Sequence, residues 1–398
     1  MNKVIKPAIW LLILIAALPQ FSETVYTPAL PNIARYFQVS EATAEHTLSI
    51  YLFGMAIGTL IWGAISDSVG RKPCLLFGIG IFVAGCAGCF FSQSIESLMI
   101  YRFIQAFGGS TGSVLGQAIA RDAFEGHERG KVFSLVGGAI FFSPAIGPIL
   151  GGFIDELFGW SFIFAFLGLC GFFAWFFSYK NLVETRVVLT KGAQTSILSI
   201  LKDMVTDKKV IACILIVGGM SGIGFSYYSE GPFYLMNILG LTPKAYGATF
   251  IFTAISGLSG SLYSKRLHSS LVTREIIKKG LITSLGGSLF FVASIFSLYF
   301  LENIPKEIFI LVTIISMMAI IFGMAMTAPN VLSIALTKYE YATGTASSFL
   351  GFFYYIVAAS ITFFMGILHN GSLFPMPLYF LFIMVCVLLI FFKFLKKE

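Results

Sequence analysis

The chain has 398 residues, 57% of them hydrophobic and only 11% charged, with a formal net charge of +7. Soluble domains carry about 25% charged residues, so a soluble globule of this composition would expose large apolar patches, and the bilayer is the expected solvent. The basic excess does not point to nucleic acid: no RNA- or DNA-binding signature occurs, and the basic residues sit in short links between apolar runs.

Apolar runs of about 20 residues mark transmembrane helices. Twelve are predicted, over residues 8–30, 44–65, 73–92, 98–120, 132–154, 160–179, 210–232, 247–264, 280–300, 307–328, 344–368 and 374–393. Lys3 and Lys6 ahead of Ile9–Ala17 have the look of a signal peptide, but the many spans downstream favour an uncleaved first helix. Between the second and third spans lies Gly63-Ala64-Ile65-Ser66-Asp67-Ser68-Val69-Gly70-Arg71-Lys72-Pro73. A link this short forces an antiparallel helix pair, and its basic residues mark a cytoplasmic side. With both termini inside, 22 of the 26 lysines and arginines fall in inner segments, and only Arg35, Lys244 and Lys306 fall outside. Arg102 lies within the fourth span. Of the six cysteines, Cys86 and Cys89 have redox spacing, yet they sit mid-span among Gly and Ala, where small residues pack helices.

The longest inner segment divides the chain into an N-terminal half (1–180), a cytoplasmic linker (181–209) and a C-terminal half (210–398). Thr195–Val205 is expected to form a helix on the membrane surface. The halves share weak similarity. Gly130, Ser134 and Gly137 open the fifth span, and Gly344, Ser348 and Gly351 open the eleventh at the same spacing. Ser22-Glu23 precedes Pro28 in the first span, and Ser229-Glu230 precedes Pro232 in the seventh. The expected fold is an all-α membrane protein of twelve transmembrane helices in two pseudo-symmetric six-helix halves.

Ionisable residues inside spans are costly and usually functional. Glu23 lies about 22 Å along the first helix at 1.5 Å per residue, on one stripe with Gln20 and Thr27. A carboxyl in a low-dielectric cavity can bind and release protons near neutral pH, which points to proton coupling; the alternative is a structural carboxylate paired with an arginine. Arg102 shares a stripe with Gln105, Gly109, Gly112 and Gly116. It either faces a cavity near Glu23 or snorkels to the outer interface. Glu230 shares a stripe with Tyr227, Tyr234 and Asn237, a face suited to an amphipathic substrate, or else it is a solvated helix-end residue. Tyr354, Tyr355, Met324 and Met326 can line a cavity or simply pack. Pro144, Gly147, Pro148, Gly151 and Gly152 shape the fifth span for gating or for a static kink. Gly126–Lys131 is too short for a phosphate loop and lacks the following Ser/Thr. The four histidines, His46, His127, His268 and His369, show no zinc spacing, so no metal site is expected.

Several motifs resemble the major facilitator superfamily. Gly63-x-x-x-Asp67-x-x-Gly70-Arg71-Lys72 resembles its signature loop, with Ser68 where a basic residue is usual. Arg102-Phe103-Ile104-Gln105-Ala106-Phe107-Gly108 is similar to the fourth-helix motif. Gly147-Pro148-Ile149-Leu150-Gly151-Gly152 is similar to the core of the antiporter motif, with Ser143 replacing its earlier glycine. Within the superfamily the chain most resembles the Bcr/CflA group of bacterial drug/proton antiporters, through Tyr26-Thr27-Pro28-Ala29-Leu30-Pro31, Arg121-Asp122 and Gly159-Trp160. The second half matches through Gly231-Pro232-Phe233 and Gly344-Thr345-Ala346. Relatives there carry an aspartate aligned with Thr24, so Glu23 is offset by one position.

The resemblance implies an inner-membrane transporter, not an enzyme, that exports drugs or amphipathic metabolites by alternating access. Its energy source would be the proton gradient, with no other cofactor, and it would act as a monomer on a small-molecule substrate. The alternative is a dedicated carrier of one metabolite, such as a siderophore, in either direction. In this reading Glu23 and Arg102 couple protons, and Gln20, Thr27, Gln105, Tyr227, Glu230 and Tyr234 bind substrate. Gly63, Asp67, Gly70, Arg71, Lys72, Asp122 and the fifth-span Pro/Gly residues gate. Asp67 is expected to pack on the start of the eleventh helix near Thr343–Thr345, where the positive helix N-terminus favours a carboxylate. Arg71 is expected to pair with Asp122, and these contacts to close the cytoplasmic side in an outward-open state. The alternative is a loop that mainly secures topology. The matching second-half link, Lys265-Arg266-Leu267-His268, lacks the Asp-x-x-Gly pattern.

Overall fold

The computed structural model describes residues 6–185, 197–301, 303–339 and 343–395. Residues 186–196 of the expected linker lie outside them, as do Lys3, Lys396 and Lys397 and the side chains of Ser134, Thr343 and Gly344. The helices run in the order α1 (Ile9–Thr24), α2 (Leu30–Phe37), α3 (Glu41–Val69), α4 (Arg71–Phe90), α5 (Ile95–Ala123), α6 (Gly126–Phe158) and α7 (Trp160–Asn181). After the linker come α8 (Ile197–Thr206), α9 (Lys208–Pro232), α10 (Pro243–Leu267), α11 (Thr273–Tyr299), α12 (Lys306–Thr337), α13 (Thr343–Leu368) and α14 (Pro375–Phe394).

Among the described residues nine spans are long and apolar enough to cross a membrane, and the bent α6 makes a tenth. α5 and α10 complete the twelve. They are 29 and 25 residues long, about 43 and 37 Å at 1.5 Å per residue. Their Gly, Ser and Thr content lowers their hydropathy, and α5 packs instead on α1, α3 and α4. Lipid-facing positions behave differently: Phe172 and Phe173 on α7 and Phe382 and Leu389 on α14 are exposed from the protein.

Most helices overrun the expected spans because capping residues stop them in the aqueous layer. Ser40 Oγ accepts from Thr43 N–H, and Ser94 and Ser97 form a capping box on α5. The Gly63–Pro73 segment is not a loop. α3 continues to Val69 and α4 starts at Arg71, with Gly70 alone between them at φ 122°. That backbone conformation is open to glycine and strained for other residues. The first span is broken: α1 ends at Thr24, a 3₁₀ turn covers Thr27–Ala29, and α2 continues to Phe37. Pro28 supplies no N–H at that break. α6 bends by 42° between Pro144 and Ile146, as a proline that removes a helix hydrogen bond predicts.

The buried apolar side chains form two clusters. One is drawn mainly from residues 11–182 and the other from residues 200–395. Tyr228 and Tyr354 pack against both. The halves meet where α3 packs on α13 and α6 on α10. These are the second span on the eleventh and the fifth on the eighth, so a shift of six spans exchanges one contact for the other. α8 does not lie on the membrane surface alone. Its Ile200 and Met204 are buried in the second cluster, and Asp203 accepts from Tyr339 Oη at 2.8 Å and pairs with Lys338 Nζ at 2.8 Å. Lys338 and the Tyr339 hydroxyl hold the Asp203 carboxyl below its ordinary range.

Close approach at glycine sets the helix spacing in the first half. A Cβ at Gly108 would stand 2.6 Å from the Gly78 carbonyl oxygen and 2.9 Å from the Ile81 carbonyl carbon on α4. Gly108→Val is therefore expected to force α4 and α5 apart and to destabilise the protein by about 1–3 kcal/mol, as overpacking does. A lower unfolding midpoint in detergent checks this; an unchanged midpoint would contradict it.

Candidate functional site

A cavity of about 790 Å³ lies between the halves. Its deep end is formed by Gln20, Ser113, Tyr354 and Tyr355, its middle by Thr59, Gly63, Ser347 and Ser348, and its mouth by Asp67, Arg71, Arg121 and Leu336. Arg71, Arg121 and Lys338 mark this as the basic end of the bundle. The opposite, far end is shut. A Cβ at Gly152 would meet the Pro243 carbonyl at 2.7 Å, and one at Gly247 would meet the Pro148 carbonyl at 2.6 Å, which locks α6 against α10. Gly147 and Gly151 take the backbone of Val25 directly against α6. At Gly366 a Cβ would lie 3.1 Å from His46, which stacks on Phe363 at 4.3 Å and joins α13 to α3.

The first helix supplies the apex. Gln20 Nε2 donates to Ser113 Oγ at 3.0 Å across to α5. Glu23, only 2% exposed, does not line the cavity. It lies behind Tyr355, whose hydroxyl donates to Glu23 Oε1 at 3.4 Å. Arg102 points inward rather than snorkelling and is fully buried. It does not reach the cavity either. Its guanidinium lies between the rings of Tyr26 and Tyr51, 3.9 and 4.1 Å from their centroids. Nη1 donates to Gln105 Oε1 at 2.6 Å and to the Ser22 carbonyl at 3.4 Å. Nε and Nη2 have no hydrogen-bond partner among the described residues, so the aromatic faces replace water around this charge. Each such desolvated contact contributes up to about 2 kcal/mol. No ion pair joins Arg102 to Glu23 among the described residues.

Several expected substrate-binding residues are elsewhere. Thr27 lies on the 3₁₀ turn, past the break in the first helix, and bonds back to the Thr24 carbonyl at 2.9 Å, so the Gln20–Glu23–Thr27 stripe is interrupted. Gln105 is buried between Arg102 and Cys86 Sγ, to which it donates at 3.0 Å. Tyr227 and Tyr234 pack among Phe250 and Phe291 in the second cluster. Glu230 is not a solvated helix end. A π-helical turn over Phe233–Ile238 extends the span beyond it, and it is 1% exposed. Met324 and Met326 do not line the cavity, whereas Tyr354 and Tyr355 do.

At the basic end Arg71 is the hub. Nε meets Asp122 Oδ2 at 3.0 Å, and Nη1 meets Asp67 Oδ1 and Ser66 Oγ, both at 2.6 Å. These groups all belong to the first half, and the cavity is open beside them. The network therefore leaves this end open in the state seen here, and the expected Arg71–Asp122 pair is present. Asp67 and Thr345 line the same cavity, but the ion-pair partner of Asp67 is Arg71. Thr343 and Gly344, at the expected contact of Asp67, have side chains outside the described residues, and another carboxylate caps the neighbouring α4. Glu184, from the linker, accepts from Arg71 N–H at 2.9 Å and Lys72 N–H at 3.1 Å and caps α4. A Cβ at Gly70 would stand 2.6 Å from its Oε2. Lys72 Nζ donates to the Tyr179 carbonyl at 2.9 Å. The closest approach to the second half here is Gly63, where a Cβ would meet Ser348 Oγ at 2.6 Å.

Two features had no clear signal in the sequence. In the second half His268 Nε2 lies 2.9 Å from Asn330 Oδ1, and Asn330 Nδ2 donates to Ser264 Oγ at 3.0 Å. Ser264 and Asn330 thus stand six spans on from Ser66 and Asp122, and His268, at the end of the eighth span, is bonded to Asn330. At the far end Glu41, Glu45, Glu230 and His369 converge from α3, α9 and the end of α13. The sequence singled out Glu230 by its place inside a span, but not its partners, which are distant in sequence.

Comparison with known proteins agrees with this architecture. The sequence profile of the Major Facilitator Superfamily matches residues 12–362. The chain belongs to that superfamily and is a multi-pass membrane transporter, not an enzyme. It is 32% identical over 387 residues to an uncharacterized transporter of Rickettsia bellii, covering 96% of this chain and 95% of that one. It is 26% identical over 348 residues to multidrug resistance protein D of Escherichia coli, covering 86% and 84%. Among solved structures, the partially occluded inward-open xylose transporter XylE from E. coli superposes with a TM-score of 0.75 at 15% identity over 98% of this chain and 97% of that one.

The Arg71 hub yields an ordering of variants. Arg71 and Asp122 side chains are 10% and 13% exposed, but Asp67 is 58% exposed. Arg71→Ala leaves the mostly buried Asp122 carboxylate with only Arg121, at 3.9 Å, as an ion-pair partner among the described residues, and is expected to cost about 1–3 kcal/mol. Asp67→Asn is expected to cost under about 1 kcal/mol, as surface ion pairs do. Thermal unfolding of the two purified variants tests the order, which a larger loss in Asp67→Asn would reverse.

Proposed function

We propose that the protein exports drugs or amphipathic metabolites across the inner membrane in exchange for protons. In this reading both termini and the basic end of the bundle face the cytoplasm, and the open cavity is the cytoplasm-facing state. The observation that carries it is the placement of Glu23: a buried carboxyl at the apex of the cavity, separated from it by one tyrosine hydroxyl. The named drug-resistance relative supports the substrate class.

Tyr354 and Tyr355 stack on each other at 4.5 Å and offer ring faces and hydroxyls to a substrate. The Tyr355 hydroxyl faces both the cavity and Glu23, so it is the link through which substrate and proton sense each other. The fixed charge of Arg102 lies within electrostatic reach of Glu23 and offsets the cost of an ionised buried carboxyl. Exchange then requires that each ligand favour a different state of one two-state protein.

Proteoliposomes under an imposed pH gradient, tested over a panel of amphipathic drugs, decide the matter. Glu23→Gln is expected to abolish gradient-driven transport while the protein elutes as a folded species. Tyr355→Phe is expected to slow transport about tenfold at most, since one hydrogen bond contributes about 0.5–1.5 kcal/mol. Normal gradient-driven transport by Glu23→Gln would sink the proposal. Transport of a single metabolite and none of the drugs would replace the exporter with a dedicated carrier.

A further inference from the structure

The far end of the bundle holds a group of side chains that the transport reading does not use. Glu45 on α3 and Glu230 on α9 are 0% and 1% exposed at the side chain, and His369 follows α13 at 10%. His369 Nδ1 lies 2.9 Å from Glu230 Oε2 and 3.6 Å from Glu45 Oε1. All three residues offer a ligand atom within 4.8 Å of the others. Two further facts single this cluster out. Both oxygens of Glu45 are buried with no hydrogen-bond partner. Moreover, among the described residues no lysine or arginine pairs with Glu41, Glu45 or Glu230. Two buried carboxylates beside one imidazole leave a charge that burial makes costly.

We propose that Glu45, Glu230 and His369 bind one divalent transition-metal ion of the Zn²⁺ type. The charges then balance: two carboxylates and a neutral imidazole offset a dication. Imidazole and carboxylate are the donors such ions take, at about 2.0–2.2 Å. Ligand atoms on one tetrahedral ion stand roughly 3.4 Å apart, and the 2.9 and 3.6 Å separations about Nδ1 bracket that spacing. The surroundings fit as well. With Nδ1 on the metal, Nε2–H donates to Glu41 Oε2 at 2.9 Å, and Glu41 in turn accepts from Asn237 Nδ2 at 2.5 Å. A carboxylate behind the imidazole fixes the tautomer and strengthens the ligand. His369 also sits at the C-terminal end of α13, its N–H bonded to the Met365 carbonyl, where the helix dipole favours a cation. Glu41, one-third exposed, leaves a route in from the far side.

The three ligands come from both halves. α3 belongs to the first, and α9 and α13 to the second. A bound ion therefore clamps the far-end seam and favours the state with the cavity open at the basic end.

The test is binding, which needs no transport, so its failure would leave the proton-exchange reading standing. Full-length protein in detergent, stripped with EDTA, is titrated with ZnCl₂ by calorimetry. One site per chain is expected. Glu45→Gln and His369→Gln are each expected to weaken it by about tenfold or more. Glu156→Gln, whose carboxyl pairs with Lys244 at the same end, is expected to leave it unchanged. MgCl₂ is expected not to compete, because Mg²⁺ prefers oxygen and water. Zn²⁺ is also expected to raise the thermal midpoint of the wild type and not of His369→Gln. Glu230→Gln serves in place of any variant that does not elute as folded protein. No site in the wild type, or affinity unchanged in the folded variants, would overturn the proposal.

Discussion

Inside a bundle wrapped in lipid, a polar or charged group finds its partner within the protein or pays the full cost of desolvation. That constraint organises this molecule. Arg102 meets it with ring faces, a glutamine and a backbone carbonyl. Arg71 meets it with Asp67, Asp122 and Ser66. Glu23 meets it with one tyrosine hydroxyl. The weaker the satisfaction, the more readily the group exchanges a proton or takes a ligand. On that scale Glu23 and the Glu45–Glu230 pair are the groups left wanting a partner.

The polar networks also separate what is rigid from what moves. Ser66, Arg71 and Asp122 tie α3, α4 and α5 together within the first half, and Ser264, His268 and Asn330 do the same for α10 and α12 within the second. Between the halves, contact at the far end includes backbones brought close at Gly152 and Gly247. Such backbone packing is weak in direction, so it can be lost and remade as a unit. Strong bonds inside each half and adaptable packing between them are the mechanical condition for a cavity that opens to either end.

Much of the architecture was legible in the primary structure because the bilayer imposes a one-dimensional rule. Span length and the placement of Lys and Arg report directly on which segments cross and how they alternate. The Arg71–Asp122 pair was legible too, through motif residues at the ends of neighbouring helices. The Gly63–Pro73 segment shows the limit. Its polar residues read as a loop, yet they are helical on both sides of Gly70, because helices extend past the hydrocarbon until a cap or a glycine stops them. Glu184 caps the N-terminus of α4, brought there by the chain after α7, a contact with no local signal.

The sequence by itself determined the solvent, the number of crossings, the repeat and the rarity of buried charge, because each of these depends on composition and local spacing. Only the tertiary structure decided which polar residues share a space. Helix rotation turned Gln105, Tyr227 and Tyr234 away from the cavity, and the break at Thr27 took that residue off the Gln20 stripe. It also gathered Glu45, Glu230 and His369, which lie up to 324 positions apart, at one point on the seam. The physical reason is that a helix offers a full circle of directions, and which of them faces lipid, core or cavity is set by the neighbours it packs against.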